Sequence, residues 1–281
     1  MLSGAVLSVQ CCPVPPEDHP GRRSHTPDAA CDTMALVRPF LLIATRPEDE
    51  AARGEYEAML RFTGLAADRV LYSQLDRAPL PQVDLDDLSG IIVGGSPYST
   101  SDPDDRKPAD QRRAEAELDE LLDRVVPADF PFFGACYGVG TLGVHQGAVV
   151  DRTYPEPVSA ITVTLTDEGL RDPLIRASGV PESFQAFVGH KEAVRTLSDD
   201  AVLLATGEAA PVQMFRVGEN MYATQFHPEL DVAGIVQRIH IYRENGYFDP
   251  ATMDELIETV SAARIGDVHT LLRAFVTRYA R

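Results

Sequence analysis

The stretch FPFFGACYGVGTLGVHQG, residues 130–147, decides how this chain is read. It opens on an apolar run, residues 130–133, of the length of a buried strand, and residues 139–144 read as the start of a helix, so a sharp turn falls around Cys136. Gly134 and Gly138 stand two residues to either side of that cysteine. A chain reversing this tightly needs either positive φ or a backbone approach that a Cβ would block, and glycine supplies both. The pattern is the strand–turn–helix elbow G-x-S-x-G with sulfur in place of oxygen. At such a turn the side chain meets the unpaired N–H groups and partial positive charge of a helix N-terminus, which favour a thiolate. Free cysteine also serves as a small buried hydrophobe; it is the flanking pattern that argues for a nucleophile.

Upstream, apolar strands alternate with polar, helix-period segments. Residues 40–44, 69–75 and 90–93 read as strands. RPEDEAARGEYEAMLRFTG reads as a helix ending at Gly64, and QRRAEAELDELLDRVV as one with Leu118, Leu121, Leu122 and Val125 on one face. Continuous apolar strands separated by helices predict an α/β fold: a central, mostly parallel sheet with helices on both faces. Downstream, AITVTLT, ESFQAFVGH, AVLLAT, APVQMFRV and NMYATQF follow with short turns, as an antiparallel extension would. Residues 231–245, 254–262 and 267–279 read as helices, the last with Val268, Leu271, Leu272 and Phe275 at helical spacing.

Residues 1–34 are rich in proline and turn formers without periodicity and read as a disordered extension, and the apolar stretch from Leu2 to Val9 is too short and lacks the basic flank for a secretory signal. Their Cys11, Cys12, Cys31, His19 and His25 lack the paired spacing of a metal site. The expected organisation is therefore residues 1–34 as extension, 35–245 as the α/β domain and 246–281 as a helical extension packed on it. A formal charge of −18 with no basic cluster argues against nucleic acid or an anionic membrane surface as partner. Four cysteines, three within the first 31 residues, make no disulfide framework, which points to a reducing, cytoplasmic setting.

A nucleophilic thiol needs a base and an orienting group. Two segments have the form H-x-E: His227 with Glu229 in FHPEL, and His190 with Glu192 in GHKEA. In extended backbone, residues i and i+2 point the same way, so either carboxylate suits its histidine. Context favours His227, where a strand runs into Pro228, a residue that stiffens the turn. Lys191, between His190 and Glu192, reads as solvent-facing. The remaining element is IIVGGSPYS, whose Gly94 and Gly95 expose backbone N–H groups as an oxyanion hole requires; the N–H of Tyr137 is the other donor of an elbow.

Together, GACYG, the order Cys136 then His227-Pro-Glu229, and the upstream Gly-Gly turn resemble the class I glutamine amidotransferase family, closest to the glutaminase domain of GMP synthase, over residues 38–245. The resemblance implies a flavodoxin-like architecture and a Cys-His-Glu triad of Cys136, His227 and Glu229. It implies attack on the side-chain amide of glutamine, a γ-glutamyl thioester, release of ammonia and hydrolysis to glutamate, with no cofactor or metal. Gly95 and Tyr137 would supply the oxyanion donors, and Gly94 and His190 would border the substrate. The resemblance departs at Gly140, where the family often has a substrate-holding glutamine. It also does not extend to the synthetase portion of GMP synthase, so ammonia is expected to pass to a separate synthetase subunit. Two alternatives stand beside this reading: a γ-glutamyl hydrolase or peptidase using the room left at Gly140, and an inactive binding module. The loop at residues 96–110, rich in Ser, Asp and Pro, reads as a mobile surface segment.

Overall fold

The computed structural model describes residues 37–281, so the readings made for residues 1–34, including Cys11, Cys12, Cys31, His19 and His25, lie outside the described residues. The chain alternates strand and helix at first: β1 (Phe40–Ala44), α1 (Asp49–Thr63), β2 (Val70–Gln74), β3 (Gly90–Val93), α2 (Ala109–Val125), β4 (Phe132–Ala135) and α3 (Tyr137–His145). Strands then dominate. β5 (Val149–Asp151) and β6 (Glu156–Leu165) lead through two short helices, α4 (Asp167–Arg171) and α5 (Pro173–Ser178), to β7 (Ser183–His190), β8 (Ala193–Thr196), β9 (Ala201–Thr206), β10 (Met214–Val217) and β11 (Met221–Thr224). Three helices close the chain: α6 (Val232–Ile241), α7 (Met253–Ser261) and α8 (Thr270–Tyr279).

Nine strands form one sheet in the order β2-β1-β3-β4-β11-β10-β9-β6-β7, and β5 pairs with β8 in a small separate ribbon. From β2 to β11 every pairing is parallel; beyond β11 every pairing is antiparallel. The antiparallel strands thus continue the parallel sheet, and β11 is the strand that joins the halves.

All five residues of β1 are buried, as a strand covered on both faces must be. Successive side chains point to opposite faces. Phe40 and Leu42 join a core with Phe133, Leu271, Leu272 and Phe275, whereas Leu41 and Ile43 join one with Leu118, Leu121, Leu122 and Phe132. α1 ends as its sequence indicates, with Gly64 left-handed at φ 76° and its N–H on the Leu60 carbonyl. α8 contributes to the first core outright: the Phe275 ring lies edge-on to Phe133 with centroids 5.4 Å apart, and the N–H of Arg38 donates to the Arg281 carbonyl at 2.6 Å. The helix read over residues 231–245 stops at Ile241 and is followed by turns. Among the described residues no helix is long and apolar enough to cross a membrane.

Candidate active site

β4 ends at Ala135 and α3 begins at Tyr137, so Cys136 alone makes the turn, with φ 55° and ψ −80°. Gly134 and Gly138 have no positive φ. The positive φ expected of a glycine is taken by the cysteine itself, and backbone strain of this kind costs on the order of 1–3 kcal/mol. The glycines serve proximity instead: a Cβ on Gly134 would lie 2.5 Å from the Gly138 Cα. The elbow is pinned by the Cys136 N–H, which donates to the Thr224 carbonyl at 2.7 Å.

That bond also explains how His227 arrives. β11 runs parallel to β4 with Thr224 opposite Ala135, so the chain leaving β11 passes beside the elbow. The His227 N–H donates to the Phe187 carbonyl at 2.9 Å, and its Nδ1 lies 2.7 Å from Glu229 Oε1. Both side chains are buried, and Glu229 Oε2 has no hydrogen-bond partner among the described residues. Behind them lies a buried ionic chain. Arg238 Nη2 is 3.4 Å from Glu229 Oε1 and donates to Glu55 Oε2 at 3.0 Å, which also accepts from Arg46 Nε at 2.7 Å.

Burial opposes the charged form of His227, but the charge of Glu229, then that of Cys136, and hydrogen bonds with both raise it to about 9. Burial likewise opposes ionised Glu229, yet His227 and then Arg238 bring it down to about 2. A histidine whose folded value lies above its unfolded value of about 6.5 stabilises fully below the latter and loses that contribution as pH rises through the former. Cys136→Ala removes one source of the shift. Its His227 is therefore expected to titrate below about 9 in an NMR titration, and its stability to fall less than that of the unaltered protein between about pH 6.5 and 9. Unchanged titration would show that Cys136 does not hold the imidazolium proton.

The other sequence-predicted residues divide. Gly95 lies against His227, since a Cβ there would come within 2.8 Å of the imidazole Cε1. Among the described residues no backbone acceptor takes its N–H. Gly94 differs from expectation: its N–H is spent on the Ile43 carbonyl at 2.9 Å, and the glycine makes room for the Glu55 carboxylate. Tyr137 opens α3, where a backbone N–H has no intrahelical acceptor. Its ring is buried near Tyr98.

His190 forms a second buried pair, but not with Glu192. Its Nε2 lies 2.8 Å from Glu156 Oε2, which also accepts from Gln213 at 2.7 Å, and its Nδ1 meets only the Glu192 carbonyl. The Glu192 carboxylate turns to the loop, accepting from Thr100 N at 2.7 Å, Thr100 Oγ1 at 2.8 Å and Ser101 N at 2.8 Å. Residues 96–110 are therefore tied down at their centre rather than loose. The same contact fills the space at Gly140, where a Cβ would come within 2.8 Å of Thr100 Oγ1. The space into which a side chain at Gly140 would point is thus taken by the loop. Lys191 is half-exposed, as expected of a solvent-facing residue, but its ammonium is engaged: it donates to the Asn245 carbonyl at 2.7 Å and sits 4.5 Å from the centroid of the Tyr247 ring.

Sequence reasoning missed Arg46, Glu55, Glu156, Arg238 and Tyr247. The ionic residues come from separate elements with no shared motif, and Tyr247 follows α6 in a turn. Among the described residues no group of three or more His, Cys, Asp or Glu side chains is arranged to hold a metal ion.

With this geometry in view, the likenesses are specific. The family model "Glutamine amidotransferase class-I" matches residues 64–234, more than half of the chain. The glutamine-hydrolysing GMP synthase subunit of Thermoplasma volcanium is 31% identical over 150 residues, covering 52% of this chain and 65% of that protein. A glutamine amidotransferase-like protein of Salmonella typhimurium is 31% identical over 151 residues, covering 53% and 60%. The chain thus spans less than two thirds of the length of these curated relatives. In fold, a glutamine amidotransferase crystal structure from Thermotoga maritima superposes with a TM-score of 0.68 over 86% of this chain and 98% of that one, at 19% identity. The elbow, the fold and the matched span agree that this chain belongs to the class-I glutamine amidotransferase family.

Proposed function

We propose that this protein hydrolyses the side-chain amide of glutamine and passes the ammonia to a separate nitrogen-accepting synthetase. The observation that carries the reading is a strained cysteine at a helix N-terminus beside a buried histidine whose far nitrogen is taken by a carboxylate. Cys136 is the nucleophile, His227 the proton carrier and Glu229 its orienter.

In the first half-reaction the Cys136 sulfur attacks the amide carbon. The carbonyl oxygen becomes an oxyanion, stabilised by the N–H groups of Gly95 and Tyr137. Collapse breaks the carbon–nitrogen bond as imidazolium His227 donates a proton to the leaving nitrogen, and ammonia departs from a γ-glutamyl thioester. In the second, neutral His227 takes a proton from water as its oxygen attacks the thioester. The carbon–sulfur bond breaks, glutamate leaves and the thiolate–imidazolium pair is restored. Glu229 keeps the imidazole oriented and its proton on the correct nitrogen throughout. The space filled at Gly140 by Thr100 disfavours a larger γ-glutamyl substrate at that point.

The test is glutamine hydrolysis with mass analysis of the peptide containing Cys136 during turnover. The isolated chain is expected to be a weak glutaminase, with KM above the usual range of about 1 μM to 1 mM, and its thioester to be trapped on Cys136. The cognate synthetase is expected to raise kcat/KM. Turnover without any adduct at Cys136 would reject the mechanism, and absence of turnover with every γ-glutamyl amide and synthetase tried would reject the function.

A further inference from the structure

Two small cavities flank the Cys136–His227 pair. One, of about 30 Å³, is bordered by Cys136, Tyr137, His190 and Glu192; the other, of about 40 Å³, by His227, Arg46 and Tyr242. Each is narrow, with room for only a few waters at its deepest part, and neither is sealed from solvent. Cys136 is itself only partly buried, so what limits a substrate lying between its sulfur and His227 is the wall that divides the two cavities.

Three residues, Ser96, Gly189 and Tyr247, border both cavities. Two of them are fixed by their surroundings. The loop containing Ser96 is held by the three bonds to the Glu192 carboxylate and by Gln111 donating to the Ser99 carbonyl at 2.9 Å. Gly189 lies within β7, a strand of the main sheet. Tyr247 stands apart. It lies in the turn between α6 and α7, directly after Gly246, which is left-handed at φ 74°, and residues 243–246 are exposed. Its half-buried ring makes no hydrogen bond through its hydroxyl to any described residue. The segment is fastened by Lys191, which donates to the Asn245 carbonyl and lies over the Tyr247 ring, and by a long bond from Val158 N to the Tyr247 carbonyl at 3.5 Å. Burial, followed by the charge of Cys136, pushes the phenol up to about 12, in keeping with a ring close to the sulfur.

We propose that Tyr247 is a specificity-determining gate: its ring is the removable wall between the two cavities, Lys191 is its latch, and γ-glutamyl substrates enter as residues 243–248 swing about Gly246. The substrate assignment rests on the glutaminase reading, whereas the gate itself concerns only access to Cys136. When the ring leaves, the two cavities become one, with the thiol on one side and His227 on the other. The size of group tolerated on the γ-amide nitrogen is then set by how far this strap opens.

The test uses the full chain and compares alkylation of Cys136 by iodoacetamide and by the much larger N-(1-pyrenyl)iodoacetamide, read by mass on the peptide containing Cys136. The unaltered protein is expected to discriminate against the pyrenyl reagent. Tyr247→Ala should raise the pyrenyl rate at least about tenfold relative to the iodoacetamide rate, a change of ~1.4 kcal/mol in barrier, and Lys191→Met should raise it to a smaller extent. Tyr247→Phe, which keeps the ring, should match the unaltered protein. An unchanged rate ratio in Tyr247→Ala, or equal gains in Tyr247→Phe, overturns the gate. Because alkylation requires no turnover, an opened Cys136 in a protein that never hydrolyses glutamine would leave the gate standing and remove the function.

Discussion

Cys136→Ala is expected to reduce glutamine hydrolysis to background, on the order of 10⁶-fold, the scale on which hydrolases lose rate with their nucleophile. The fold should survive, because the side chain is small and only partly buried, so its loss leaves little cavity. The more telling companion is Cys136→Gly. With φ 55° and ψ −80°, cysteine and alanine hold this turn against the same steric opposition, whereas glycine is freed from it. Cys136→Gly should therefore exceed Cys136→Ala in stability by about 1 kcal/mol, the lower end of what such backbone strain costs. Thermal or urea unfolding of the two inactive variants measures this directly. If alanine is as stable as glycine, the strain is not there.

The second large effect separates the two histidines. His227→Ala should lose activity by roughly 10²- to 10⁴-fold, the range for general acid–base catalysis. His190→Ala acts elsewhere. It leaves Glu156 buried with only Gln213 as side-chain partner, so its main consequence should be a loss of about 1–3 kcal/mol in stability, as for a buried polar group deprived of its bond. Any effect on turnover should show itself in KM, since His190 borders the cavity beside Cys136. An active His227→Ala alongside a folded but inactive His190→Ala would reverse the assignment.

The contrast between these histidines also shows how far local reading reaches. Both lie in H-x-E segments, yet Glu229 reaches the ring of His227 whereas Glu192 turns its carboxylate to Thr100 and Ser101. Alternation along an extended chain says which side chains share a face, but not which of them finds a stronger partner. Glu192 faces two backbone N–H groups and a hydroxyl on a loop distant in sequence, and these claim it. The loop at residues 96–110 departs from expectation for the same reason. Its composition speaks for mobility, and it is tied down by a carboxylate supplied from beyond β7 together with Gln111 of α2.

What the sequence determined by itself was the set of local decisions: an apolar run, a glycine-flanked cysteine and a helix start make an elbow, Gly64 closes α1, and buried strands alternating with helices make a parallel sheet. Each follows from steric freedom or side-chain periodicity within a few residues. The tertiary structure decided the rest, beginning with the place of β11. A strand at the end of a run of antiparallel neighbours turns out to lie parallel beside β4, with Thr224 taking the N–H of Cys136, and this is what sets His227 at the elbow. Strand order depends on which edges and faces are buried together across the whole sheet, a quantity no local pattern carries. The same is true of Arg46, Glu55 and Arg238, which come from three separate segments and form one buried ionic chain behind His227, and of Tyr247, which borders the same cavity as His227: only the packing of helices and turns against the sheet brings them together.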